Sequence, residues 1–282
     1  MPVADGKSII IPCACCGKEN FKPSLVCEGF SFVICASCGL VQRNPQPVKE
    51  EITSRYSDTY GNDYLSYEIK NEEAFLILQQ LALKDAGFEK IEKKLFIDEI
   101  NEKPAVLDIG CATGALLANL RDRQWRVTGV EISPCAEYAR RERNLDVRDI
   151  PLEENKFPSS SFDVILASHL IEHLNNPRSF LTETHRILKN NGYCFITTPN
   201  ISGFQAKFFG NKWRSAIFDH LYLFSVKTLS NLFSNTGFKI ESIHTWGGLA
   251  AGTVSESIKK IADILAKRLG FGDVMIVKAK KK

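Results

Sequence analysis

No run of apolar residues in this 282-residue chain approaches the length of a membrane span, and Met1 to Pro12 holds only a three-residue apolar run after Ser8. Neither a secretory leader nor a membrane span is therefore expected, and the cytoplasm is the expected address. An excess of one charge is missing too. Thirty-six Lys and Arg against 33 Asp and Glu leave a formal net charge of +3 and a pI near 8.3, so the balance gives no reason to invoke a nucleic-acid partner. A neutral or mildly anionic small molecule suits it equally well. Internal repeats and low-complexity tracts are absent, which excludes a repeat architecture. What is present is a 44% hydrophobic composition, enough for a full core and a smaller appended module. Six of the nine cysteines fall before residue 39, a crowding that favours thiolates on a metal over disulfides where no targeting segment is expected.

By composition the chain divides into three. Residues 1–45 are cysteine-rich and close at Asn44-Pro45-Gln46-Pro47. Residues 46–103 are tyrosine-rich and then helical in pattern, with Phe75, Leu76, Leu78, Leu81 and Leu83 near helical spacing; they read as a helical linker covering a cofactor pocket. From residue 104 to 282, short apolar runs alternate with amphipathic segments, the pattern of a parallel sheet covered on both faces. Strands are expected at Ala105–Ile109, Arg126–Val130, Phe162–Ala167, Tyr193–Thr198, Phe238–His244 and Val274–Lys278, with a short one near Asp146–Arg148. Helices are expected at Ala115–Arg121, Pro134–Arg143, Pro177–Leu188 and Val226–Asn235. The result is a doubly wound sheet, whose ligand belongs beyond the carboxyl ends of its first strands.

Chemistry begins at Val106-Leu107-Asp108-Ile109-Gly110-Cys111-Ala112-Thr113-Gly114. A strand-ending acid followed by small residues gives a tight turn whose backbone can approach a ligand closely. A dinucleotide enzyme uses the same turn for a pyrophosphate, so the turn alone does not choose between cofactors. Glu131 ends the second strand about 20 residues on, where a ribose-hydroxyl acceptor belongs. With Ser161-Phe162-Asp163-Val164-Ile165-Leu166-Ala167-Ser168 and Arg186-Ile187-Leu188-Lys189-Asn190-Asn191-Gly192 following in order, the chain resembles the class I S-adenosylmethionine-dependent methyltransferases. Ala112 stands where that family's motif has its middle glycine. The resemblance implies an α/β, Rossmann-like, mostly parallel seven-stranded sheet with the last strand antiparallel, and S-adenosyl-L-methionine as cofactor. It places that cofactor against Asp108, Gly110, Cys111, Ala112, Gly114, Glu131, Ile132, Asp149, Ser168 and Tyr60. For Asp149 the solvated-loop reading competes, as helix packing does for Tyr56, Tyr60 and Tyr64.

After the fourth strand, His169-Leu170-Ile171-Glu172-His173 brings His169, Glu172 and His173 onto one face if the segment is helical. The trio reads as a base with its orienting partner or as part of a divalent-metal site. The segment is similar to the acid-x-x-Glu-His pattern of ubiquinone-biosynthesis O-methyltransferases, with His169 in place of the first acid. An aromatic insertion at about residues 200–225 holds Phe204, Phe208, Phe209, Trp213 and Phe218 among Lys207, Lys212 and Arg214. It is read as a cap over the acceptor, with Trp213 and His220 as substrate contacts; for most of the aromatics a packed lid core is the simpler reading.

Cys13-x-x-Cys16-Gly17 is followed 18 residues on by Cys35-x-x-Cys38-Gly39. Such paired knuckles place four thiolates on one tetrahedral ion, so Cys13, Cys16, Cys35 and Cys38 are read as a zinc ribbon whose closed shell makes the zinc structural. A ribbon before such a domain resembles some sugar C-methyltransferases, which implies a small-molecule acceptor, a sugar or another hydroxylated metabolite. Two other classes stay open: an RNA or protein methyltransferase that recognises its target through the ribbon, and a non-catalytic cofactor-binding protein. Scattered charges on the ribbon disfavour the first, and intact Asp108 and Glu131 disfavour the second.

Overall fold

The computed structural model describes residues 8–48, 51–52, 59–98, 102–247, 266–267 and 270–282. In the cysteine-rich segment, stretches too short for a core of their own pair as β1 (Ser8–Ile9), β2 (Phe21–Cys27), β3 (Phe30–Cys35), β4 (Val41–Arg43) and β5 (Gln46–Pro47). β2 and β3 form an antiparallel hairpin that turns at Glu28-Gly29, with Gly29 at φ 80°, a conformation glycine adopts without penalty. Two helices follow, α1 (Thr59–Asp85) and α2 (Phe88–Asp98). Ala82, Leu83, Ala86, Phe88 and Ile91 pack on Val106, Leu116, Leu120 and Trp125, which seats the helical layer on the main sheet. Of the apolar periodicity in α1, Leu83 is buried while Leu78 and Leu81 are exposed among the described residues.

The remaining elements are β6 (Ala105–Ile109), α3 (Ala115–Asp122), β7 (Arg126–Val130), α4 (Cys135–Arg143), β8 (Val147–Arg148), β9 (Phe162–Ser168), α5 (Pro177–Ile187), β10 (Leu188–Pro199), α6 (Phe204–Phe209), β11 (Tyr222–Leu223), α7 (Val226–Ser234), β12 (Phe238–Trp246) and β13 (Val274–Lys281), which alternate as expected except that α6 and β11 arise inside the insertion. All five residues of β6 are buried, as in a central parallel strand covered on both faces. Asn176 caps α5 by accepting from the Ser179 N–H, and Ser225 and Thr228 form a capping box at α7. The main sheet runs β12-β13-β10-β9-β6-β7-β8, parallel except that β13 is antiparallel to both neighbours. Chain order reverses between β6 and β9, so a crevice opens at their carboxyl ends.

β11 leaves the second half of the chain to join the first. Tyr222 and Leu223 pair with Gln42 and Val41 of β4, completing a four-stranded sheet in the order β11-β4-β3-β2. The Arg43 guanidinium lies 3.9 Å from the Phe218 ring centroid and donates to the Phe218 carbonyl at 2.8 Å. Cys13, Cys35 and Leu40 share one apolar cluster with Leu107, Ile109 and Leu229. The cysteine segment is therefore part of the main core, which offsets its small size. Among the described residues no helix is long and apolar enough to cross a membrane.

Candidate functional site

Three turns at the carboxyl ends of β6, β7 and β9 build the site. The turn after β6 folds back onto β7, with the Gly110 N–H donating to the Val130 carbonyl at 2.7 Å. Gly110 and Gly114 have φ of 73° and 75°, and Ala112 between them is also left-handed at φ 47°. The middle position thus needs the backbone that glycine supplies, and Ala112 adopts it under strain. A Cβ at Gly114 would lie 2.6 Å from Leu145, and one at Gly110 would be 3.4 Å from Leu170. These clearances let α3 pack closely and let the turn after β9 rest on the turn after β6.

Glu131 is buried, and its two carboxylate oxygens accept from the Ala112 N–H at 3.0 Å and the Ser133 N–H at 2.8 Å. It therefore fastens the turn after β6 to the loop after β7. Asp108 lies beneath, and burial with the Glu131 charge nearby pushes its carboxyl up to about 8. α1 closes this side: Tyr64 hydrogen-bonds Glu68, and burial and the neighbouring carboxylates hold both groups above their ordinary range. Glu72 pairs with Arg143, whose Nε donates to the Thr113 carbonyl at 2.9 Å. Sequence reasoning missed Glu68, Glu72 and Arg143; the four-residue steps from Tyr64 to Glu68 to Glu72 were the available signal. Cys111 is buried against α3 and α4, Ile132 is partly exposed, and Ser168 ends β9. Asp149 is exposed and paired with Arg140 at 3.0 Å. The side chains of Tyr56 and Tyr60 lie outside the described residues.

On the other side of Leu170 the expected helical face is absent. His169 is left-handed at φ 52°, and only Ile171–His173 makes a single 3₁₀ turn. Three residues are too few to continue a helix, and the His169 N–H is taken by the Thr197 carbonyl at 2.9 Å. Glu172 is wholly buried; Thr198 Oγ1 donates to its Oε2 at 2.9 Å, and His169 Nδ1 lies 3.3 Å from Oε1. Burial alone would raise its pKa, but the nearby His169, His173 and His220 outweigh that and hold it down at about 2. His173 turns toward His220, their rings edge to face at 4.7 Å. His220 is buried, and its Nδ1 meets the Ser215 carbonyl at 2.8 Å, while His173 Nδ1 meets that of Asp219 at 3.1 Å. The structure thus joins His220 to the Glu172 cluster and leaves His169 at its half-exposed rim.

Trp213 is elsewhere. It is buried among Phe32, Val41 and Leu223, and its indole N–H donates to Asp273 at 2.5 Å, so it serves as a packing residue and does not face an open cleft. Asp273 also accepts from Arg214 at 2.6 Å. The packed lid core is only partly realised, because Phe204, Phe208 and Phe209 of α6 are exposed.

The four cysteines converge as their spacing required. Sγ separations are 3.4 Å for Cys13 with Cys38 and 3.6 Å for Cys16 with Cys35, and all four sulfurs lie within 4.8 Å of one another. Gly17 and Gly39 donate to the Cys13 and Cys35 carbonyls at 2.8 Å each, giving matched knuckles. Burial would raise the Cys35 thiol, but the N–H groups of Cys38 and Ser37 overcome it and bring it down to about 7. A surface concavity of about 590 Å³ lined by Glu102, Lys103, Trp125 and Arg126 lies at the opposite ends of β6 and β7 and has none of this chemistry.

The sequence pattern of the methyltransferase domain matches residues 80–243. Ubiquinone biosynthesis O-methyltransferases from Pseudomonas aeruginosa and Dechloromonas aromatica are 32% and 33% identical over 103 residues, 34% of this chain and 44% of theirs. The chain thus matches less than half the length of those relatives. A solved S-adenosylmethionine-dependent methyltransferase from Thermotoga maritima superposes with a TM-score of 0.53 at 22% identity, covering 78% of this chain and 99% of that one. With the strand order, the Gly110 turn and the match over most of the sheet together, the chain belongs to the methyltransferase domain family and has the Rossmann-like fold of S-adenosylmethionine-dependent methyltransferases.

Proposed function

We propose that this methyltransferase transfers a methyl group from S-adenosyl-L-methionine to a hydroxyl of a small molecule, a sugar or another hydroxylated metabolite. The observation that carries the reading is the buried cluster of Glu172, His173 and His220, set beside the Gly110 turn through Leu170. The cofactor supplies a methyl group already activated on a sulfonium. What the chain must add is alignment and a way to take charge off the acceptor hydroxyl.

Asp108 and Glu131 supply the cofactor half. Two carboxyls at adjacent strand ends suit a ligand that carries positive charge and a ribose diol, and a carboxylate has lone pairs to spare beyond its two backbone contacts. Gly110, Cys111, Ala112 and Gly114 give the close backbone approach, with Ile132 and Ser168 as walls; Asp149 reaches the adenine only by releasing Arg140. Glu172, His173 and His220 form the acceptor half, with His169 at its entrance. Residues 1–45 act as a zinc ribbon on Cys13, Cys16, Cys35 and Cys38. Their sulfur separations fit the edge of about 3.8 Å of a tetrahedron with ~2.3 Å bonds. Residues 46–103 cover the cofactor, and 104–282 form the catalytic domain with its insertion at about 200–225.

Calorimetric titration tests the first half. Saturable binding of S-adenosylmethionine and S-adenosylhomocysteine is expected for the native chain and lost or much weakened in Asp108→Ala and Glu131→Ala. A native chain that binds neither compound overturns the reading.

A further inference from the structure

We infer that the cysteine module is the positioning frame of the acceptor half, and that Arg43 is the residue through which it sets where His220 stands opposite His173. Arg43 brackets His220. Its backbone N–H donates to the Leu221 carbonyl and its Nη1 to the Phe218 carbonyl, each at 2.8 Å, one residue after and two residues before the histidine. The Leu221 N–H donates in turn to the Glu172 carbonyl at 2.7 Å. Leu221 is thus gripped between β4 and the turn that carries Glu172 and His173.

Strand pairing alone does not account for this hold, because β11 has two residues and so short a ladder is marginal. The side chain of Arg43 supplies the rest. It is buried, with its guanidinium 3.9 Å from the Phe218 ring centroid and 5.7 Å from that of Phe30, the two rings standing edge to face at 5.6 Å. A planar cation seated on two rings while its fork donates to a carbonyl has little freedom to move.

Both cysteine knuckles converge on the strand that carries Arg43. The second runs directly into β4: the Gly39 N–H donates to the Cys35 carbonyl, the Cys35 N–H donates to the Leu40 carbonyl, each at 2.8 Å, and Val41 begins the strand. The first is tied to it by Gln42, a fully buried amide that accepts from the Ala14 N–H at 3.2 Å and donates to the Pro12 carbonyl at 3.3 Å. With all four sulfurs on one ion the knuckles cannot shift independently, and β4 inherits their geometry. The segment after His173 is held as well. Arg178 donates to the Cys15 carbonyl at 2.6 Å, and the Tyr222 hydroxyl donates to that of Asn175 at 2.8 Å. None of these bonds touches Asp108, Glu131 or the Gly110 turn.

The module therefore acts on one half of the site and spares the other. The His173 and His220 rings meet at 4.7 Å, and a displacement of about 1 Å in such a constellation can cost on the order of 10²-fold in rate. That effect on turnover rests on the methyl-transfer reading; the placement of the two rings does not.

Histidine-ring nuclear magnetic resonance on the full chain is the test, since there are only five histidines to label and assign. Arg43→Met removes the guanidinium contacts and keeps the backbone bond to Leu221. It should move the His173 and His220 signals and weaken the Overhauser contact between their rings. His185, packed on Phe238, and His244, within β12, should keep their signals. Arg43→Lys should move the same two signals by less, and zinc content should be unchanged in both variants because no cysteine is altered. Gln42→Met, which cuts the first knuckle from β4, should also displace His173 and His220. Far-ultraviolet circular dichroism checks each fold, and Arg43→Lys is read by the same criteria if Arg43→Met does not fold. Folded variants at Arg43 or Gln42 whose His173 and His220 signals stay in place overturn the inference. So do displacements as large at His185 and His244, which would mark a general loss of stability. Calorimetry on the same samples should find S-adenosylmethionine affinity within about threefold of the native value. A native chain that binds no cofactor sinks the methyl-transfer reading alone, whereas unmoved rings with normal cofactor binding sink only the positioning role.

Discussion

Asp108 and Glu172 are two buried carboxyls at the ends of neighbouring strands, β6 and β9, yet their acidities move in opposite directions, to about 8 and about 2. Burial opposes ionisation at both. At Asp108 the nearest charge is another carboxylate, Glu131, which adds to the effect; at Glu172 three histidines reverse it. One sheet edge thus holds a side where a second carboxylate acts on the buried acid and a side where imidazoles do. The first is suited to a cationic cofactor and the second to activating an acceptor.

Removing the ribbon should disturb this contrast most. Cys35→Ser is expected to release the ribbon zinc, lose the packing shared with Leu107 and Ile109, and free β4 from β11, which directly follows His220. Metal content should fall and thermal unfolding should come at markedly lower temperature, since structural zinc contributes on the order of 10 kcal/mol to small modules of this kind. Unchanged zinc content in that variant would refute the ribbon. Next in size is the acceptor side taken alone. Glu172→Gln should lower methyl transfer by roughly 10²- to 10⁴-fold and leave cofactor affinity within about threefold, because no cofactor contact changes. Radiolabel transfer to a panel of hydroxylated acceptors, read beside calorimetry, checks the split; equal losses in both would erase the distinction between the two sides.

Asp108→Asn probes the opposite side. It should weaken cofactor binding by roughly 10- to 100-fold, the worth of a hydrogen bond to a charged group, while stabilising the ligand-free protein at high pH. Unfolded, Asp108 titrates near 3.8, and folded near 8, so between those values the folded state keeps a proton that the unfolded state has released. Stability therefore declines as pH rises from about 4 to about 8, by an amount on the order of 5 kcal/mol from this group, and no further above that. Denaturant titrations of the native and Asn proteins should coincide near pH 4 and diverge toward pH 8, with the Asn protein the more stable. Parallel curves would show that Asp108 is ionised in the empty site.

The proposed cofactor side is largely legible in the sequence because its parts are local. Asp108, the small residues after it and Glu131 keep fixed spacing along one β-α-β unit, and Cys13 to Cys38 carry their geometry in two short repeats. The acceptor side is not. His220 reaches His173 only through the path of the insertion, and the two-residue β11 has no periodicity to announce that it will pair with β4. Exposed and buried indoles look alike in a sequence, so Trp213 reads as a cleft residue; Asp273, far along the chain, is what lets it be buried. His169 reads as helical because i, i+3 and i+4 spacing does not reveal that the chain turns left-handed at the first of the three.

The smallest expected effect lies inside the turn after β6. Ala112 sits at φ 47°, between two glycines that are also left-handed, and a Cβ in this region costs roughly 1–2 kcal/mol. Glycine relieves that cost but loses more freedom on folding, by about 0.5–1 kcal/mol, so Ala112→Gly should gain about 1 kcal/mol or less. The Ala112 N–H to Glu131 bond, the one link between the two cofactor turns that depends on this residue's backbone, is retained in the variant. Cofactor affinity should then hold or rise slightly. A loss of affinity with no change in stability would mean that the alanine methyl itself touches the cofactor, and that the departure from glycine shapes the pocket at the expense of backbone strain.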